Sequence, residues 1–492
     1  DVILNKDLTP AIPAHYSVSG DANGLKIIDE YTFRIEFAHP FPLVLDKLAS
    51  GGTFSYFGMP KHYLEKYHAA YNDKANDLAK GEGYGSWAEL FLIKSDSGQR
   101  IRDPELPVLD NYVLEEVDPS GATYFVRNPY VWKVDAQGRQ LPYIDRAEFL
   151  YAENLEVLKG RALSGDATYV GWYIQLPDYA LFKENEEAGG YTAGLYPEAR
   201  SSEFGFAFNY THEDPMLREL FNDLRFREAM SYAIDRDEMN ELLYFGRGTP
   251  RQPIADPSAT FYSDGIDMHA VEHDLDKANQ LLDEIGLKWD DRHEFRMFAD
   301  GSTLQLRMEI WDRFEQFPEF LVKYWKTVGV DLTVKFLDKG LYQEKLRSNE
   351  LMIGCWAIGG GSETYARQNK PIRWQPPFHW PDTSPLGGVL WYQWYESRGA
   401  TGEEPPEVVK HLYDLIDAYL AEPFGTDEYK EIGAEILQIN ADNLWLLGTI
   451  GLTPRVAIVD SRIRNSLQPG DMLSIETGMW AVRPLELWWF SE

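Results

Sequence analysis

Two hydrophobic periods alternate along the chain. Phe226, Met230, Ala233 and Ile234 recur at helical spacing and predict one buried stripe, with the acidic and basic residues of that segment on the opposite face. Residues 274–287 read as a helix capped at its start and stopped by Gly286, and 319–328 and 59–71 read as two more. A period of two marks strands over 31–37 and 304–310, and 330–335 follows as another. Glycines at 81–85 break the chain before Trp87, and the turn-rich run 103–107 leads into two strands. Helix and strand alternate from 270 to 345, an order that favours α/β layers. There is no internal repeat and no low-complexity tract.

Composition narrows the possibilities. With 492 residues, 44% hydrophobic and 14% aromatic, the chain can bury more than one core, so two or three domains are expected. The net charge of −32 argues against nucleic acid and anionic membranes as partners, because affinity for phosphate comes from clustered Lys and Arg. The acidity itself reads as a source of solubility. The single Cys355 excludes an internal disulfide and a Cys-based metal site, and reads as a small buried residue. No run approaches the roughly 18 apolar residues of a membrane span, and no leader opens the chain.

Three longer phrases carry a resemblance. Phe208-Asn209-Tyr210 is followed by the helix containing Arg227, Ala229, Ala233-Ile234-Asp235-Arg236 and then by Gly246-Arg247-Gly248-Thr249-Pro250. Arg127-Asn128-Pro129-Tyr130 precedes Trp132-Lys133-Val134-Asp135 and Leu141-Pro142-Tyr143-Ile144-Asp145. Asp274, Lys277-Ala278 and Leu281-Leu282-Asp283-Glu284 make the third. Together they resemble the extracellular solute-binding proteins of family 5, the cluster C components of ABC importers. The resemblance implies an α/β, two-lobed periplasmic-binding-protein-like fold (type II, cluster C) with an extra subdomain in the N-terminal lobe. It places residues 1–110 in that subdomain, lacking the family's first strands, residues 111–205 and 455–492 in lobe 1, and residues 206–454 in lobe 2. The chain is then expected to cross between lobes near 206–209 and 447–454. The resemblance further implies a monomer, periplasmic or a cell-surface lipoprotein, that binds a small molecule without cofactor or metal and delivers it to ABC permease subunits.

The candidate chemistry is aromatic. Trp356, Trp374, Trp380, Trp391, Tyr392, Trp394 and Tyr395 crowd one stretch, and indoles offer the rigid faces that grip a ligand apolar on its faces and hydroxylated on its edges. The competing reading is that these rings pin a long loop. Trp172 joins the candidates because it follows the strand that the family places at the cleft edge. Where peptide-binding members carry an aspartate for the peptide amino terminus, this chain has Ile358, which leaves Glu363 to take that role if any residue does. Trp172, Trp356, Glu363, Trp374, Trp391 and Trp394 are therefore the expected ligand contacts. An oligosaccharide is preferred as ligand, an oligopeptide is the alternative, and a polysaccharide-active enzyme is a distant third. His269 and His273 have the spacing of a metal pair on a helix, but their neighbours read as a solvated loop. Carboxylate pairs such as Glu403 and Glu404, or Asp312 and Glu315, arise by chance among 79 acidic residues, and no catalytic motif accompanies them.

Overall fold

The computed structural model describes residues 2–3, 5–10, 25–37, 42–45, 58–254, 256–359, 363, 367, 386–474 and 483–491. Near its start, the helices Ala75–Gly81 and Trp87–Ser95 close over a small core of Tyr63, Leu64, Tyr67, Trp87, Leu90 and Phe91. The expected break at 81–85 ends in a reciprocal cap. The Ser86 hydroxyl accepts from the Glu89 N–H at 3.2 Å, and the Glu89 carboxylate accepts from the Gly85 N–H at 2.8 Å. The helix expected over 59–71 is shorter, Lys61–Leu64 continuing as the 3-10 turn Glu65–Tyr67. It stops because His68 turns to extended backbone and packs its ring 4.7 Å from Trp87. The strand expected over 31–37 contracts to Phe33–Ile35, paired with Leu25–Ile27. The two strands expected after 107 are Tyr112–Val117 and Thr123–Arg127, joined by Arg146–Phe149 in one antiparallel sheet.

Beyond this sheet two cores frame the site, beside smaller clusters of Tyr196, Ala457, Leu467 and Leu473 and of Val459, Ile463 and Trp488. Strands β1 (Tyr169–Val170) and β2 (Tyr191–Tyr196) flank the late strand Arg455–Asp460, which returns to pair with both. Their core is Ala162, Ile174, Phe182, Tyr191, Ala193, Val456 and Ile458. The larger core begins at β3 (Ser202–Phe208), a strand apolar at nearly every position and therefore covered on both faces. In it, α1 (Leu224–Tyr232) and α2 (Arg236–Tyr244) follow, then β4 (Gln305–Trp311), α3 (Pro318–Lys326) and β5 (Asp331–Leu337), a parallel pair with its crossover helix. After α4 (Lys339–Arg347), β6 (Ile353–Ile358) pairs antiparallel with β3, and past α5 (Val389–Glu396) the short β7 (Leu447–Gly448) pairs with the other edge of β3. Gly205 is required where these strands meet, since a Cβ there would lie 2.4 Å from Ile358 Cγ1. The strand Arg455–Asp460 is β8.

The helical stripe on α1 is Phe226, Ala229 and Met230, all fully buried, continued by Ala233 and Ile234. The charged face departs from expectation, because Arg227 and Arg236 are buried as well. Their guanidiniums stay inside by donating to main-chain carbonyls: Arg227 to Asn443 and Phe221, Arg236 to Gly448, Ser231 and Val271. Each cation thus satisfies carbonyls that the fold leaves without a partner, which offsets its own desolvation. The 274–287 helix forms over Leu275–Glu284, with the Asp274 carboxylate accepting from the Lys277 N–H at 2.8 Å and Gly286 at φ +88°.

Candidate functional site

The two cores are joined by two chain segments, 197–203 and 449–455, which run side by side. The Leu452 N–H donates to the Arg200 carbonyl at 2.8 Å, and the Thr449 N–H donates to the Ser202 hydroxyl at 3.0 Å. Phe204 and Phe206, just before and at the crossing expected near 206–209, already pack in the larger core.

A cluster of charge sits at this junction. Arg200 donates to Glu203 at 2.8 Å, Thr453 donates its hydroxyl proton to the same carboxylate, and Arg455 donates through Nε to Glu198. Both carboxylates are nearly or fully enclosed. Burial pushes the Glu203 carboxyl upward, but the guanidiniums of Arg200 and Arg455 outweigh it and hold it below its ordinary value. Burial likewise depresses Arg455, and the carboxylates of Glu203 and Glu198 more than compensate. Glu198 Oε1 and Arg455 Nη2 are buried without a hydrogen-bond partner.

Indoles border the cluster from both cores. Half-buried Trp172, two residues past β1, carries the Arg455 guanidinium over its ring, with the guanidinium carbon 5.1 Å from the centroid. From the larger core, Trp311 ends β4 and the 3-10 turn Asp312–Phe314 follows it. Arg313 lies over the Trp311 ring with its guanidinium carbon 5.5 Å from the centroid, and the Lys339 ammonium approaches the same ring to 5.3 Å. The turn lies beside the start of β3, the Phe314 ring being 5.9 Å from that of Phe204, the residue after Glu203; partial burial lowers the Arg313 pKa, and the cations Arg200 and Arg455 lower it further. Tyr173 and Glu203 act on it in the opposite sense.

Of the residues singled out by sequence, Trp356 lies behind this wall. Its ring centroid is 5.3 Å from that of Trp311 and 5.9 Å from that of Phe314, and it is buried. Trp356 thus backs the ring that carries Arg313, while Trp172 carries Arg455. Trp391 is elsewhere: it stacks on Tyr210 at 5.6 Å and 7°, beyond the far end of β3, roughly 20 Å of strand away from the junction. There it lines a cavity of about 380 Å³ with Tyr210, Arg218 and Glu403, the last two paired at 3.0 Å. Half-buried Trp394 lies beside Lys410. Trp374 and Trp380 fall outside the described residues.

Glu363 is buried and committed. Its two oxygens accept from the N–H and the hydroxyl of Thr260, each at 2.9 Å. Ile358 is buried at the end of β6 opposite Ser202. His269 is held between Glu228 and the Ala441 carbonyl, and His273 pairs with Asp235, so the two rings serve different partners. Among the described residues no group of three or more His, Cys, Asp or Glu is arranged to hold a metal.

Sequence reasoning did not single out Glu198, Arg200, Glu203, Arg313, Lys339 or Arg455. A signal was available in part: Glu198 and Arg200 stand just before β3, Glu203 is its second residue ahead of an apolar run, and Arg455 opens another strand.

Comparison with known proteins places this architecture. The sequence profile described as "Bacterial extracellular solute-binding proteins, family 5 Middle" matches residues 2–367. A periplasmic alpha-galactoside-binding protein of Rhizobium meliloti (strain 1021) is 25% identical over 495 residues, covering 96% of this chain. The chain spans 65% of that relative's length. Among solved structures, an oligopeptide-binding protein OppA is 30% identical with a TM-score of 0.74, covering all of this chain and 78% of its own. The periplasmic binding protein MelB from Agrobacterium fabrum C58, in complex with stachyose, shares the fold at 19% identity and a TM-score of 0.68, over 98% of this chain and 68% of its own.

Proposed function

Since the chain belongs to the bacterial extracellular solute-binding proteins of family 5, we propose that it captures an oligosaccharide between its two lobes and delivers it to the permease of an ABC importer. On this reading lobe 1 holds residues 111 to about 201 with the returning strand β8 and the residues after it, and lobe 2 holds the larger core. The ligand biases an equilibrium between open and closed forms, because contacts from both lobes exist together only when the lobes close. Binding needs no covalent step, and the relatives are named as binding proteins rather than enzymes.

The observation that carries this reading is that Trp172 and Trp311, one from each core, each hold a guanidinium over the ring, Arg455 and Arg313 respectively. Rigid rings beside fixed donors suit a ligand with hydroxylated edges. The relative aligned over 96% of the chain is named for alpha-galactosides, which supports a sugar. The 30% identity to an oligopeptide-binding protein favours a second reading, a peptide ligand. Against it, the position of the amino-terminal carboxylate is Ile358, and Glu363 already spends both oxygens on Thr260. The family works outside the cytoplasmic membrane, and no described helix is long and apolar enough to cross one.

Calorimetric titration with short gluco-, manno- and galacto-oligosaccharides beside di- to pentapeptides tests the proposal, with product analysis to check for turnover. Stoichiometric heat from a sugar, without hydrolysis and unchanged in Glu363→Ala, is the expected result. Heat from peptides alone, lost in Glu363→Ala, would assign the chain to peptides.

A further inference from the structure

Two cations are left over where the cores meet. Arg200 is paired with Glu203 and Arg455 with Glu198, so the two enclosed carboxylates are already matched. Among the described residues the side chain of Arg313 makes no hydrogen bond and no ion pair, and neither does that of Lys339; both residues are exposed. Both nonetheless gather at the ring of Trp311. The junction therefore carries three guanidiniums and an ammonium against two carboxylates, in a protein whose net charge is −32. Like charges are not collected on a strongly acidic molecule without cost, because each guanidinium raises the energy of the others.

A guanidinium lying over an indole keeps its N–H fork directed outward in its own plane, which is the geometry that grips a carboxylate. Beside it, Arg455 Nη2 is a donor without an acceptor and Glu198 Oε1 an acceptor without a donor, both buried. An anion alone would answer the first and repel the second. A group that joins a carboxylate to neighbouring hydroxyls answers both, and a sugar acid has that pattern.

We propose that the junction takes an oligosaccharide bearing a carboxylate, with Arg313 as the principal partner of that carboxylate and Lys339 and Arg455 adding positive charge around it. This rests on the oligosaccharide reading above and narrows its ligand class. Trp172 borders the same site through Arg455.

The experiment is calorimetric titration of the whole chain with digalacturonate and trigalacturonate, with the neutral galactobiose and galactotriose of equal length, and with trialanine, on wild type, Arg313→Gln and Lys339→Gln. Both substituted positions are exposed, and thermal unfolding of each variant confirms that it folds. The acidic sugars are expected to bind at least tenfold more tightly than the neutral ones. Arg313→Gln then loses at least tenfold more affinity for the acids than for the neutral sugars, a change in ratio that a merely structural residue does not produce. Equal or tighter binding of the neutral sugars, or an acid affinity untouched by Arg313→Gln, overturns the inference and leaves the oligosaccharide reading standing. Binding of trialanine alone overturns both, and binding of none of these probes overturns the carboxylate assignment.

Discussion

The guanidinium carbon of Arg455 lies 5.1 Å from the centroid of Trp172, while its Nε donates to the enclosed carboxylate of Glu198. The pair fastens an indole of the smaller core to the charge cluster at the crossing. Trp172→Ala removes a ring that is only half-buried, so its main effect is expected on ligand affinity, a loss of about 1 kcal/mol or roughly fivefold. Trp391→Phe alters a ring stacked on Tyr210 at the other end of β3 and is expected to change affinity less than twofold while lowering stability. Titrating both variants with the sugar that binds wild type decides between them; equal losses would move the site toward Trp391.

Arg455 is also a structural cation. Arg455→Met strands Glu198 without its partner and weakens the hold on Glu203, and breaking a buried pair from one side costs about 3–5 kcal/mol. Adding Glu198→Leu removes the stranded charge, so the double variant is expected to recover a large part of that loss. Urea unfolding of the wild type, the single and the double variant measures it. A double variant as unstable as the single would show that packing on Trp172, not charge, sets the cost.

His269 makes stability depend on pH in the neutral range. Its hydrogen bond to Glu228 raises its pKa above the ordinary 6.5, against the pull of burial. A raised histidine contributes fully below the unfolded value and loses that contribution as pH rises through the folded value. Denaturant unfolding between pH 5.5 and 8.5 is therefore expected to show the wild type losing stability relative to His269→Gln as pH rises. Parallel profiles would rule the bond out as a contributor.

The fold was legible where local chemistry and burial agree. Asp274 and Gly286 bound their helix as read, and Phe226, Met230, Ala233 and Ile234 form the buried stripe that their spacing indicated. The reading failed where a polar side chain is buried for a distant reason. Arg236 looks like a surface charge, yet it reaches the carbonyl of Gly448, 212 positions later, and no local period encodes such a pairing. The same limit applies to the site. Trp172 and Trp356 drew attention by residue type, but Trp391 shares that type and the fold carries it to the far end of a strand. Arg313, the free cation over Trp311, has nothing in its own segment to distinguish it from other charged turn residues, because its neighbours Arg200 and Arg455 come from both crossing segments.

The side-by-side passage of 197–203 and 449–455 has a mechanical consequence. A single tether would let the two halves of the molecule spin about it, whereas two tethers bound to each other at Arg200 and Leu452 resist torsion and leave bending as the soft motion. If the halves close as proposed above, every stroke follows one arc. Side chains fixed to either half, such as Trp172 and Trp311, would then meet each time in the same alignment, so that the shape offered to a guest is set by the axle and not by the guest.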